Sequence, residues 1–123
     1  MAKKILIVED DTFLQGLAAT KLSKEGYEVV TASNGDDAVH KLTTETLDFV
    51  LLDLVLPGVD GFGILEQIRK NEKTKAIPVI IFSNLAEDKD IKRAQELGAN
   101  EFMIKSNFTL DELAEKIGQI LGK

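Results

Sequence analysis

The chain predicts an α/β fold: a five-stranded parallel sheet, doubly wound, with strand order 2-1-3-4-5 and helices on both faces. Three observations carry this reading. Five short apolar segments alternate with helix-patterned ones, the first, third and fourth segments are apolar almost without interruption, and glycines stand where the first and fourth helices should stop.

The apolar segments are KILIV ending at Val8, YEVVTA at Tyr27 to Ala32, DFVLLD at Asp48 to Asp53, PVIIFS at Pro78 to Ser83, and EFMIK at Glu101 to Lys105. Their length and Val/Ile/Phe content favour strands, and strands buried on both faces show no polar alternation. Between them, Leu14, Leu17, Ala18 and Leu22 recur at helix spacing, as do Ala38, Val39 and Leu42, then Ile64, Leu65 and Ile68, then Ile91, Ala94 and Leu97. Leu110, Leu113, Ala114, Ile117, Ile120 and Leu121 form the last stripe, opened by a capping box of Thr109 and Glu112. Gly26 and Gly98 read as left-handed caps. Strict strand-helix alternation requires right-handed crossovers, and the order 2-1-3-4-5 leaves only the two most polar strands, the second and fifth, as edges.

With 123 residues, 44% hydrophobic and 29% charged, the chain suits one domain, 1–123, around a single core. The net charge of -6, spread through helical segments, argues against direct nucleic-acid binding. There is no Cys, which excludes disulfide and thiolate chemistry and fits a cytoplasmic location. The start MAKKILIVEDD has too short an apolar run for a signal peptide or a membrane span, so no membrane role is indicated.

In an open sheet of this kind, ligands bind beyond the carboxyl ends of the strands, where the winding reverses. Glu9 and Asp10 follow the first strand, Asp53 ends the third, Ser83 the fourth and Lys105 the fifth, so carboxylates, a hydroxyl and an ammonium converge on one mouth. Two unit charges ~4 Å apart interact by roughly 4 kcal/mol at an effective dielectric of 20, so the acidic group needs a cation. An all-oxygen, partly hydrated donor set suits Mg2+, with Mn2+ as a substitute. A carboxylate held against such an ion, with Lys105 and Ser83 to bind equatorial oxygens, is equipped for nucleophilic attack on phosphorus.

The motifs ILIVEDD, LLDLVLPGVDGF, PVIIFS and FMIKS, spread over essentially the whole chain, resemble the receiver domain of bacterial two-component response regulators, including the stand-alone chemotaxis type. The resemblance implies a flavodoxin-like topology and a phosphoryl group moved from a phosphohistidine, on a sensor histidine kinase or a histidine phosphotransfer protein, to Asp53. It implies Glu9 and Asp10 as the acidic pair for the metal, Asp10 the more direct, with the Val55 backbone carbonyl as a further ligand. It also implies a switch in which Ser83 turns toward the phosphoryl oxygens, Phe102 adopts an inward rotamer, and the surface of the fourth helix, fifth strand and fifth helix changes for a downstream effector. Asp11 falls outside the pair and reads as a helix-start acid.

The sequence departs from the family at several positions. Ser106 follows the lysine where proline is usual, so the family's cis peptide is not implied and a looser loop to Thr109 is expected. Phe102 lacks a tyrosine hydroxyl, and Asn84 replaces a small residue where it can narrow access or add a hydrogen bond. Val55 and Leu85 stand where polar side chains can orient an attacking water, so slow self-dephosphorylation is expected.

Other readings remain. An aspartyl-nucleophile phosphatase would carry a second carboxylate at the position of Val55, and a pseudo-receiver scaffold would not need the intact set of Glu9, Asp10, Asp53, Ser83 and Lys105. A flavin site would need a glycine- and hydroxyl-rich loop where EDDTFLQ stands, and GVDGFG is no nucleotide-binding fingerprint. Pro57, Gly58 and Gly61 read as loop-shaping residues, and His40 as a solvated surface histidine. The chain is expected to act as a phosphoacceptor and not as an enzyme on external substrates. It is read either as a stand-alone receiver or as a piece of a longer protein.

Overall fold

The computed structural model describes residues 2–58 and 60–122, and the two ends of the expected domain, Met1 and Lys123, lie outside them. The strands are β1 (Lys4–Val8), β2 (Glu28–Ala32), β3 (Phe49–Leu52), β4 (Val79–Ser83) and β5 (Glu101–Ile104). The helices are α1 (Thr12–Lys24), α2 (Gly35–Thr44), α3 (Gly61–Lys70), α4 (Asp88–Glu96) and α5 (Leu110–Leu121). All four strand pairings are parallel and the order is β2-β1-β3-β4-β5, as the sequence predicts.

The uninterrupted apolar strands divide their residues between two cores by the two-residue pleat. Leu6, Val8, Val50, Leu52, Val79 and Ile81 face α2, α3 and α4, packing on Leu42, Ile64, Leu65, Ile68 and Ala94. Ile5, Ile7, Phe49, Leu51, Ile80, Phe82 and Met103 face α1 and α5, packing on Ala18, Leu22, Leu113, Ala114 and Ile117. Both sheet faces are therefore dry, which is why the strand segments carry no polar alternation.

The helix punctuation is as read. Gly26 and Gly98 both adopt φ 97°, in the left-handed region where a Cβ is unfavourable. Thr109 and Glu112 close the expected box, with Thr109 N–H donating to Glu112 Oε1 at 2.8 Å and Glu112 N–H to Thr109 Oγ1 at 3.1 Å. Asp11 caps α1 by accepting the Phe13 and Leu14 N–H groups at 3.0 and 3.1 Å.

Three expectations need correction. Leu17 is 44% exposed and not part of the α1 core stripe, which runs through Gln15, Ala18 and Leu22. Leu17 matches helix spacing only to Leu14, and one residue before Ala18 it turns off the face that meets the sheet. Asp53 and Lys105 lie one residue beyond β3 and β5 instead of ending them, although Asp53 N–H still donates to Val8 C=O at 3.0 Å. Finally, the loop after Lys105 is not loose: Lys105–Asn107 winds into a 3-10 turn, with no cis peptide among the described residues.

Candidate functional site

The mouth forms because every crossover leaves its strand at the carboxyl end, so the residues following β1, β3, β4 and β5 share one rim. Asp53 is 6% exposed and Glu9 4%, among the few buried charges of the described residues. Lys105 compensates both: its Nζ lies 2.7 Å from Asp53 Oδ2 and 2.5 Å from Glu9 Oε1. The remaining carboxylate oxygens take backbone donors, Asp53 Oδ1 from Val55 N–H at 3.2 Å and Glu9 Oε2 from Asp11 N–H at 3.1 Å. A buried carboxylate is tolerable only with such partners.

Asp10 is exposed on the same rim, and carboxylate oxygens of Glu9, Asp10 and Asp53 lie within 4.8 Å of one another. Three carboxylates against one ammonium leave a formal excess of two negative charges. Burial pushes the Glu9 carboxyl up from its ordinary value, offset in part by the Lys105 and Asp11 hydrogen bonds. For Lys105, burial works to lower the ammonium, but hydrogen bonds to Asp53 and Glu9 outweigh it and hold the group above its ordinary range. The cluster's donors are all hard oxygens, its excess charge matches a divalent ion, and its rim is open to water. These features fit Mg2+ or Mn2+ and leave no reason for a soft metal.

Ser83 is buried at the end of β4, where its Oγ accepts the Leu85 N–H at 3.1 Å. That bond leaves the hydroxyl proton free to be donated. Phe102 is half-buried against the core under α2, α3 and α4. Val55 and Leu85, in the loops after β3 and β4, are exposed at 57% and 38%, and Phe13 in the first turn of α1 and Phe108 before α5 add two more exposed large apolar side chains.

Asn84 does not turn its carboxamide oxygen into the mouth. Its Oδ1 accepts the Ser106 N–H at 3.0 Å, tying the loop after β4 to the turn after β5. A proline at 106 would have no N–H to give, so the two departures from the family form one contact. Gly61 is the second close approach: a Cβ there would lie 2.4 Å from Leu54 Cα and 2.6 Å from the Asp53 carbonyl oxygen. Only glycine lets α3 begin against the Asp53–Leu54 backbone, which gives the expected loop-shaping role its cause.

Gln15 escaped the sequence reading. Its Nε2 donates to Glu9 C=O at 2.9 Å, and to Ala32 C=O and Ser33 Oγ at 3.2 Å each. The available signal was a polar residue three and seven positions before Ala18 and Leu22, on the buried stripe of α1.

Comparison with known proteins defines the class. Residues 5–118 match the model of the response regulator receiver domain, and the chain belongs to that family. It is 36% identical over 119 residues to the "Probable transcriptional regulator ycf27" of Guillardia theta, covering 97% of this chain and 45% of that protein. It is 35% identical over 121 residues to the alkaline phosphatase synthesis transcriptional regulatory protein PhoP of Bacillus subtilis, covering 98% of this chain and 49% of that one. The chain thus spans about half the length of these curated relatives. Among solved structures, a CheY-like receiver domain protein from Methanospirillum hungatei superposes with TM-score 0.93 at 29% identity, covering 99% of this chain and 95% of that one. The receiver domain of the sensor histidine kinase PA1611 from Pseudomonas aeruginosa, solved with a magnesium ion in its active site cleft, superposes with TM-score 0.88 at 28% identity over the whole of both chains.

Proposed function

We propose that this receiver unit, residues 1–123, accepts a phosphoryl group from a phosphohistidine onto Asp53 in a Mg2+-dependent reaction and signals through the surface of α4, β5 and α5. The observation that carries the reading is the shared lysine: one ammonium holds two buried carboxylates while an excess of two negative charges waits for a divalent ion.

Glu9, Asp10, Asp53 and the Val55 carbonyl are the protein's share of the metal site. Bound there, Mg2+ supplies a positive charge that offsets repulsion between the carboxylates and an incoming phosphoryl group. A carboxylate oxygen of Asp53 attacks phosphorus as the phosphorus–nitrogen bond to the donor imidazole breaks, leaving an acyl phosphate on Asp53 and the electron pair on the imidazole. Lys105 transfers its contacts from the carboxylates to a phosphoryl oxygen, and Ser83 turns to donate its free hydroxyl proton to another. The phosphoryl group adds about -1.5 to -2 charge, so the state in which Ser83 and Lys105 bind it gains population. Movement of Ser83 opens space on the side of β4 where Phe102 packs, and Phe102 turns inward.

The exposed Phe13, Val55, Leu85 and Phe108 around a polar mouth support a protein as the donor, because a docking partner would cover them and exclude water from the transfer. A sensor histidine kinase or histidine phosphotransfer protein fits, which supports a cytoplasmic location, and a protein effector reads the switched surface. The two relatives described as transcriptional regulators support a transcriptional output from a longer protein.

The test is intact mass after incubation with a small acyl-phosphate donor, with and without Mg2+. A single phosphoryl adduct that requires Mg2+ and is absent from Asp53→Asn is the expected result. Because Val55 and Leu85 offer no group to orient water, the adduct should outlast minutes in Mg2+; loss within seconds would refute that part. An adduct on Asp53→Asn equal to the parent's would refute Asp53 as acceptor.

A further inference from the structure

Asp10 is the exposed member of the acidic cluster, and it joins no ion pair among the described residues. Its position must come from the backbone that carries it. The chain passes from β1 to α1 through only Glu9, Asp10 and Asp11, so one peptide, the Glu9 C=O joined to Asp10 N, sets where the Asp10 side chain leaves the corner.

That peptide is pinned from α1. The Gln15 carboxamide has two N–H groups and faces three oxygens, Glu9 C=O, Ala32 C=O and Ser33 Oγ, so one N–H is shared between two acceptors. All three oxygens can accept, and two of them can do nothing else, which fixes the nitrogen end of the amide toward the corner. Ala32 C=O also takes the Glu9 N–H at 3.0 Å. Glu9 is thereby held on both sides of its Cα, by β2 through its N–H and by Gln15 through its carbonyl. Behind the corner the packing is nearly solid. A cavity of about 10 Å3 bounded by Gln15, Glu9, Asp53, Leu14 and Ala18 has room for roughly one water.

We propose that Gln15 is a positioning residue of the metal site: its carboxamide locks the Glu9–Asp10 peptide so that the Asp10 carboxylate stands beside those of Glu9 and Asp53 for a divalent cation. This rests on the reading of the acidic cluster as a Mg2+ site. Gln15 touches neither metal nor phosphoryl group; it acts through the corner. Partners that orient metal ligands in this way are typically worth about 10–100-fold in metal affinity.

Substitution by a small residue would let water take over the bonds, so near-isosteric replacements are the informative ones. Mg2+ affinity is measured by titration calorimetry on the parent chain, Gln15→Leu, Gln15→Glu and Ser33→Ala, with thermal midpoints for each. Gln15→Leu should bind Mg2+ about 10-fold more weakly, while the yield of phosphorylated Asp53 at saturating Mg2+ stays near the parent's. Ser33→Ala, which keeps the bond to Glu9 C=O, should stay within about two-fold of the parent, because only the Glu9 bond orients Asp10.

Gln15→Glu keeps the shape, reverses donor to acceptor and adds a negative charge near the cation. Charge alone predicts tighter Mg2+ binding, and loss of positioning predicts weaker binding, so a weakened Gln15→Glu supports the proposal even if Gln15→Leu does not fold. Tighter binding by Gln15→Glu, or unchanged binding by Gln15→Leu with a lowered thermal midpoint, would reduce Gln15 to a structural tie and overturn the proposal. Failure of the parent itself to bind Mg2+ would instead overturn the reading of the cluster as a metal site, and this inference with it.

Discussion

The two ends of the same sheet treat charge in opposite ways. At the amino end, charges have partners of their own on neighbouring elements. Arg69 donates to the carbonyls of Gly98, Lys75 and Ile77 and to Asn100 Oδ1, and that Oδ1 also accepts the Val79 N–H. Lys4 Nζ reaches Glu45 at 2.9 Å while its N–H takes Asp48 at 2.8 Å. At the carboxyl end, Glu9 and Asp53 share one lysine with the carboxylate of Asp10 close beside them, and the rim exposes Phe13, Val55, Leu85 and Phe108. One end is satisfied within the chain. The other keeps a formal excess of two negative charges, and this is where binding and stability compete.

Asp10→Asn gives the largest expected effect, with opposite signs for the two properties. Removing one of three neighbouring carboxylates should weaken Mg2+ binding by about 100-fold or more, yet raise the thermal midpoint in chelator by roughly 2–6 °C. Calorimetric titration and a melt with and without Mg2+ measure both. A lowered midpoint in chelator would break the comparison, because the carboxyl end would then hold no unrelieved repulsion.

Arg69→Ala should do the reverse. It strips donors from carbonyls at the amino end and costs about 2–4 kcal/mol of stability, while Mg2+ affinity and phosphorylation of Asp53 in the folded fraction are unchanged. Denaturant unfolding beside the mass assay tests this, and a parallel loss of Mg2+ affinity would show the two ends to be coupled through the sheet.

The smallest effect is in pH dependence, where the two ends slope oppositely. The Lys4 hydrogen bond holds the Glu45 carboxyl below its ordinary value. Its stabilisation is therefore present above the unfolded carboxylate pKa and lost as pH falls through the depressed folded value. Burial raises the Glu9 carboxyl, so ionising it costs stability as pH rises through the carboxylate range. Between about pH 3 and 7, in chelator, Glu45→Gln should lose ground to the parent as pH rises and Glu9→Gln should gain on it. Denaturation midpoints across the range read both slopes, and slopes of the same sign would remove the distinction.

Much of this molecule was legible from the chain alone because its cues are local. Pleat, helix period and caps are set within a few residues, so the five strands, the Gly26 and Gly98 caps and the Thr109–Glu112 box followed from spacing, while the strand order followed from leaving the two most polar strands as edges. The mouth followed too, since a parallel sheet brings the residues after β1, β3, β4 and β5 together whatever the details of packing. Glu9, Asp10, Asp53, Ser83 and Lys105 all stand on or beside that rim, as expected.

The tertiary structure decided what depends on partners far away in sequence. Lys105 serves Glu9 as well as Asp53, Asn84 reaches across to Ser106, and Gln15 binds the ends of two strands. No periodicity encodes these contacts, because a polar side chain at a buried position specifies only that it needs a partner and not which one. The same limit explains Leu17: helix spacing groups it with Leu14, but which face of α1 meets the sheet is fixed only when α1 and α5 pack together over Ile5, Ile7 and Phe49.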